Sequence, residues 1–391
     1  MSARGSSQQA DAKSDPITRV SADILRLPTI RAHTLSMATM TEQRTVLVRV
    51  ETEQGYVGLG EAATIGGLAY SDESPDSIKL TIDKYFAPIL LNQSAQHFGK
   101  LRARLDQTAV GNYFAKMAVE TALLDIAGKR SDLSVSEFLG GRITDRLEVA
   151  WTLASGDTAR DIEEGESVLI ARRHRHFKLK IGKRLWREDV AHCEAIADAF
   201  KGRASVRVDV NQAWDLATAK QAIPALYDAG IVMVEQPLLA SDYNGMRLLT
   251  EQTSMSIVAD EAMRGGAPTA LKIIQARACD GISLKIAQAG GLSACRAVAD
   301  LGLAAGLGLY GGTMLEGPIA TAASAHLFSC LPSIRWYTEL FGPLLLADEM
   351  LSTPLLYGDF GLTVPDGAGL GISLNDDAVD DAIAREVSAK Q

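Results

Sequence analysis

With 391 residues the chain can bury one large domain and a smaller one, and a formal net charge of −9 argues against nucleic acid as its main partner. A small anionic substrate stays open, because a cleft can carry a local charge opposite to the global sign. The composition is that of an ordinary soluble enzyme, and no stretch of about 18 uninterrupted apolar residues reads as a membrane span.

Residues 1–16 are polar, rich in Ser, Gln and Asp, and lack the apolar core of a signal peptide. They are expected to form a disordered tail on a cytoplasmic chain. Cys193, Cys279, Cys295 and Cys330 show no C-x-x-C spacing and read as reduced structural thiols, which fits the same compartment. Residues 18–27 and 45–51 read as strands of an antiparallel sheet, followed by a turn at Gln54-Gly55 and the strand Val57-Gly58-Leu59-Gly60-Glu61. Two connections are either surface turns or lids over a site: the Thr- and Met-rich residues 31–40, and Thr64-Ile65-Gly66-Gly67-Leu68-Ala69-Tyr70, whose paired glycines permit unusual backbone angles. From 77 to 139 the period turns helical, with Ile78, Leu80, Ile82 and Tyr85, then apolar residues through 115–126. Residues 17–145 are therefore predicted to form an α+β capping domain.

From Leu147 strand and helix patterns alternate to about Leu340, with helices predicted at 189–200, 216–229 and 292–305. No Gly-rich dinucleotide fingerprint follows the first strand, so a parallel sheet closed as a barrel over 146–341 is preferred to an open one. The remainder, 342–391, begins with Gly, Pro and short apolar runs and is expected to pack back on the cap.

Within the alternating region the charges keep a rhythm. In Phe177-Lys178-Leu179-Lys180-Ile181 residues two apart share a face, so both lysines look one way and the apolar side chains the other. An ammonium inside a fold is costly unless an anion meets it. Asp209, Glu235 and Asp260 end the next three apolar runs and Lys285 ends a fourth, at steps of 29, 26, 25 and 25 residues, about one strand-plus-helix unit each. Charges at the carboxyl ends of successive parallel strands mark the active-site rim of a (β/α) barrel. Alternation from Val258 puts Asp260 inward and Glu261 behind it. Arg207 lies one layer deeper than Asp209 and reads as half of a structural ion pair.

Three carboxylates without His or Cys suit a hard divalent cation, Mn²⁺ or Mg²⁺. Lysines close to one another and to a cation are expected to have depressed pKa values, which brings proton transfer toward neutral pH. Such a site suits an enolate formed beside a carboxylate, and so proton chemistry α to that carboxylate. The competing reading is an internal salt-bridge network. Tyr310-Gly311-Gly312-Thr313-Met314-Leu315-Glu316-Gly317 reads as a strand end and glycine turn leading into a helix, where exposed N–H groups bind an anion. Glu316 falls on the same rim, where it is expected to steer Lys285 or bond a substrate carboxyl group. The six histidines show no comparable logic and read mostly as surface or packing residues.

Lys178-x-Lys180, Asp209 with Asn211, Glu235-Gln236-Pro237, Asp260-Glu261 and Lys285, in that order, resemble the enolase superfamily and its muconate-lactonizing branch. The resemblance covers nearly everything after about residue 15, and extends to the 64–70 loop, Trp151-Thr152-Leu153-Ala154-Ser155-Gly156-Asp157 and Glu339-Leu340-Phe341-Gly342-Pro343. It implies a modified (β/α)7β TIM-type barrel, with Asp209, Glu235 and Asp260 holding Mn²⁺ or Mg²⁺ and Lys180 transferring the proton. It also implies that Lys178 tunes Lys180 and holds a carboxylate, that Lys285 stabilises charge from the other face, and that Ile65, Tyr70, Gly312 and Thr313 touch substrate. The implied reaction interconverts cis,cis-muconate and muconolactone in aerobic catechol and benzoate catabolism. The implied partners are a small dicarboxylate and further copies of the chain, octamers being common in such enzymes, with neither nucleic acid nor membrane. Glu316 and Ile65 favour the unchlorinated substrate over a chloromuconate. More distant alternatives are an acylamino-acid racemase, a dipeptide epimerase, a succinylbenzoate synthase, or a silent member with a binding role.

Overall fold

The computed structural model describes residues 15–34 and 39–389; the 1–16 tail expected from the sequence lies outside it except for Asp15 and Pro16, as does the centre of the 31–40 connection. Among the described residues, no helix is long and apolar enough to cross a membrane.

The amino-terminal sheet contains three antiparallel strands: β1 (Ile17–Thr34), β2 (Thr39–Thr52) and β3 (Val57–Ala63). Val20 faces Val50 and Ile24 faces Val46, and pairing continues past Leu27 to His33 opposite Met40. The strands are therefore longer than their apolar alternation suggests. A register shift between Pro28 and His33 breaks the two-residue period where proline cannot donate to the ladder. Gly58 and Gly60 in β3 allow the buried helix Tyr113–Ser131 to lie against the sheet, since a Cβ on either would come within about 2 Å of the Ala122 or Ala118 carbonyl oxygen.

The second sheet is parallel throughout and follows chain order: β5 (Trp151–Leu153), β6 (His176–Lys180), β7 (Ser205–Asp209), β8 (Met233–Glu235), β9 (Ser256–Ala259), β10 (Gly281–Leu284) and β11 (Gly308–Gly311). Ahead of it, β4 (Arg146–Glu148) pairs with β13 (Gly361–Thr363), which forms a small antiparallel sheet with β12 (Tyr357–Gly358). The barrel closes through a single residue. Thr338 bridges in parallel to Gly311 on one side and Val149 on the other, and Glu339 N–H donates to the Gly311 carbonyl at 2.7 Å. Seven strand–helix units and this one-residue eighth strand make a (β/α)7β barrel. The register places Lys180 opposite Asp209 and Asp209 opposite Glu235, so the charged strand ends form one row.

Cap and barrel meet through buried polar contacts. Glu61 in β3 accepts from the N–H groups of Gly317, Ile319 and Ala320 at 2.8, 3.1 and 3.0 Å, capping the barrel helix Pro318–Ser329. Gln43 in β2 donates to the carbonyls of Met314 and Leu315. The carboxyl-terminal helix Asp376–Ala389 returns to the amino-terminal sheet, where Glu386 pairs with Arg44 and Arg26. Arg207 forms no ion pair among the described residues: it donates to the Trp336 carbonyl and lies over the Tyr310 ring at 5.2 Å, because its deep position offers an aromatic face rather than an acid.

Candidate active site

The carboxylates of Asp209, Glu235 and Asp260 are at most 1% exposed, and one ligand atom from each lies within 4.8 Å of the others. Local chemistry fixes their orientation. Asn211, in left-handed backbone just past β7, donates its N–H to Asp209 Oδ1 at 2.9 Å and its amide to Glu261 at 3.1 Å. Gln236, likewise left-handed, accepts from the N–H of Asp260 at 2.9 Å and of Ala262 at 3.2 Å. The Glu-Gln-Pro run thus supplies one carboxylate and orients the next.

Three lysines meet this ring. Lys178 Nζ reaches Glu339 at 2.5 Å, Glu235 at 3.0 Å and Asp209 at 3.3 Å, which occupies it fully. Lys180 Nζ, the more exposed of the pair, donates to Asp209 at 2.5 Å and Asn211 at 3.3 Å. Lys285 Nζ donates to Asp260 at 2.6 Å and to the Tyr70 hydroxyl at 3.1 Å, and that hydroxyl donates to Asp260 at 2.9 Å.

For Lys178 and Lys285 the surrounding acids act against the depression expected of lysines beside one another and a cation. Burial opposes the charge on Lys178, but the attraction of Glu235 and Glu339 outweighs it and drives the ammonium well above its usual range. Lys285 is raised in the same way, burial being outweighed by Asp260 and Glu235. The sequence argument weighed lysine against lysine and against a cation, whereas the buried acids pull the other way and outnumber the lysines. Asp209, Glu235, Asp260, Glu261 and Glu339 face Lys178, Lys180 and Lys285, a formal excess of two negative charges when all are ionised.

The all-oxygen donor set and the buried Glu235 Oε1, which has no hydrogen-bond partner among the described residues, fit a divalent cation held by Asp209, Glu235 and Asp260. Burial, with Asp209 and Asp260 alongside, pushes Glu235 well up, and burial followed by Asp260 and Asp209 pushes Glu261 up to about 8.

A pocket lies over the ring. Lys178, Lys180, Lys285 and Asn211 line its floor, and Ile65, Tyr70, Thr313 and Leu315 line its roof and flank, with His33, Thr152, Glu339 and Phe341 completing it. Beneath the floor lie the three metal-ring acids, and two residues expected to act on substrate or Lys285 also fall outside this lining. Glu316 is buried behind the wall, accepting from the Thr313 hydroxyl at 2.5 Å and the Met314 N–H at 2.8 Å, and no hydrogen bond or ion pair joins it to Lys285 among the described residues. Gly312 instead makes room for Lys285, whose Cε would lie 2.8 Å from a Cβ there.

The sequence reading gave no role to Thr152, Glu339 or Phe341, and it grouped His33 with packing residues. Thr152 was legible, being the one polar side chain between Trp151 and Leu153. His33 is 1% exposed; burial, then Lys180, Arg31 and Lys178, lower its pKa to about 3, so the ring is neutral. His174, His176 and His326 pack inside the fold as expected.

A ring of acids at the strand ends of a (β/α)7β barrel, flanked by lysines and roofed from an α+β cap, defines a divalent-metal enzyme of the enolase superfamily. Residues 20–140 match the mandelate racemase / muconate lactonizing enzyme N-terminal domain, and residues 160–378 match the enolase C-terminal domain-like model. The chain belongs to the mandelate racemase / muconate lactonizing enzyme family. It is 52% identical to muconate cycloisomerase 1-2 of Acinetobacter lwoffii, over 93% of this chain and 94% of that protein. A chloromuconate cycloisomerase, CbnB of Cupriavidus necator, is 40% identical over 93% and 98% of the two chains. The solved muconate lactonizing enzyme of Pseudomonas fluorescens, complexed with muconolactone, superposes with a TM-score of 0.93 at 49% identity, covering 95% of this chain and 100% of that one.

Proposed function

We propose that this protein is a cycloisomerase that interconverts cis,cis-muconate and muconolactone. The observation that carries the reading is the convergence of three lysines, two of them buried, and a three-carboxylate metal ring on one pocket, within a chain 52% identical to a muconate cycloisomerase. A dianionic substrate also accounts for lysines in the cleft of an acidic protein.

In the lactonizing direction one carboxylate oxygen bonds to the carbon β to the other carboxylate, and the electron pair of that double bond moves toward the other carboxylate, leaving the α-carbon between them to take a proton. A divalent cation on Asp209, Glu235 and Asp260, Mn²⁺ or Mg²⁺, supplies positive charge for that developing anion. Lys180 delivers a proton to the α-carbon. Its Nζ lines the pocket and is less enclosed than that of Lys178, so it can be reprotonated from water. The dianion thereby becomes a monoanion, and each turnover takes up one proton. Lys178, held by three acids, keeps Glu339 and Glu235 in place, and Lys285 stabilises charge from the opposite face. Ile65, Tyr70 and Thr313 contact substrate, while Glu316 acts on it only by orienting Thr313. The working form is a homo-oligomer in the bacterial cytoplasm.

The test is the ultraviolet absorbance of cis,cis-muconate with purified protein, before and after chelation and again with Mn²⁺ added. Loss of the conjugated diene that stops on chelation and resumes with metal supports the reading; no loss in the metal-loaded protein overturns it. The same assay with a chlorinated muconate ranks the two substrates by kcat/KM, and faster turnover of the chlorinated one would move the assignment to it.

A further inference from the structure

One carboxylate outside the pocket touches the supports of three pocket walls. Glu164 lies on the barrel helix Thr158–Ile170, and its Oε1 accepts from Arg31 Nε at 3.0 Å and from Trp151 Nε1 at 2.8 Å. The Arg31 guanidinium also donates through Nη2 to the Thr152 carbonyl at 2.9 Å and sits 5.5 Å from the Trp151 ring centroid. Each contact leads inward. Arg31 is two residues from His33 on the same strand, Thr152 follows Trp151, and the Trp151 ring packs 5.2 Å from Phe341. His33, Thr152 and Phe341 all line the pocket; Arg31 and Glu164 do not.

The chemistry of the pair suits a holding role. A guanidinium fork whose donors serve an acid and a backbone carbonyl fixes direction as well as distance, which a lysine ammonium does not. The side chains are 24% and 23% exposed, sheltered enough to keep one geometry. The pair also joins segments 133 residues apart, the cap strand β1 and the first barrel helix. We infer that Glu164, acting with Arg31, is a positioning residue that sets the outer wall of the pocket, and through His33, Thr152 and Phe341 orients the part of the substrate farthest from the metal ring.

This inference rests on the cycloisomerase reading. Positioning of this kind acts on binding more than on the proton transfer at Lys180, so it separates KM from kcat. Glu164→Gln and Arg31→Gln are each expected to raise KM for cis,cis-muconate by about tenfold while changing kcat by less than about threefold. The double variant is expected to be no worse than the poorer single one, because both remove one unit. Glu164→Asp, which keeps the charge, should recover much of the loss, and circular dichroism establishes that each variant is folded. The stabilisation of the protein against heat by added muconolactone should shrink in parallel, giving a readout independent of turnover. Parent-like KM in folded Glu164→Gln, or effects of the two substitutions that multiply, would overturn the inference while leaving the function intact. A parent protein that does not consume muconate would overturn the functional reading and the inference with it.

Discussion

The floor and the roof of the pocket are built on opposite principles. The floor is charged and regular: strand ends in adjacent register bring acids and lysines together, with each lysine held by two or three partners. The roof is mostly uncharged, and it comes from the cap through Ile65, Tyr70 and a His33 held neutral by burial and neighbouring cations. A barrel rim can fix charges to a fraction of an ångström because its backbone ladder cannot slide. The cap needs only to exclude water and match shape, which irregular segments do as well. The division suggests that the floor determines whether reaction occurs and the roof determines what is bound.

Substitutions can break that division. The largest effect is expected on the floor: Lys180→Ala should lower kcat by roughly 10²- to 10⁴-fold with metal affinity largely kept. Steady-state kinetics beside metal titration decides it, and normal turnover would remove Lys180 from its role. On the roof, Tyr70→Phe deletes the hydroxyl shared by Lys285 and Asp260, and kcat/KM should fall by roughly tenfold, the scale of one buried hydrogen bond to charged groups. A loss as large as that of Lys180→Ala would place Tyr70 in the chemistry and blur the comparison.

The remaining effect concerns the seam between the two and falls on stability, with the smallest consequence expected for turnover. Burial, offset in part by three backbone N–H groups, raises Glu61 from its ordinary 4.5 to about 7. The folded state therefore holds a proton that the unfolded chain releases, so this group's stabilising contribution is full below about pH 4.5 and lost as pH rises through 7. The loss amounts to about 3 kcal/mol. Glu61→Gln should flatten this part of the profile, seen as the parent-minus-variant difference in urea unfolding between pH 4.5 and 8. A difference that does not change with pH would show that the carboxyl stays ionised throughout.

The same contrast explains what the sequence disclosed. Asp209, Glu235, Asp260 and Lys285 recur at the length of one strand–helix unit, so the floor could be read by counting. Glu339 could not, because it lies 54 residues beyond Lys285 on a strand reduced to one bridged residue, with neither the period nor the apolar run that marks the others. Glu316 lay nearer to the expected interval, yet the left-handed turn at Leu315 leads its side chain behind the wall. His33 went unrecognised because the register shift after Pro28 hides the strand that carries it. The upward pull on Lys178 and Lys285 was not legible, because a sequence lists neighbours along the chain and omits the acids that gather around a buried ammonium.

The one-residue eighth strand also has a consequence for how the molecule forms. Val149 meets Thr338 across 189 residues of chain, and Glu339 takes its place beside Lys178 only when that seam is shut. Contacts between such distant segments come late, after most loop-closure entropy has been spent. A late part of the fold to assemble therefore carries a carboxylate of the pocket, so during refolding secondary structure should return before turnover does. A chain caught short of closure is a nearly complete barrel with no finished site, and is inactive toward its substrate.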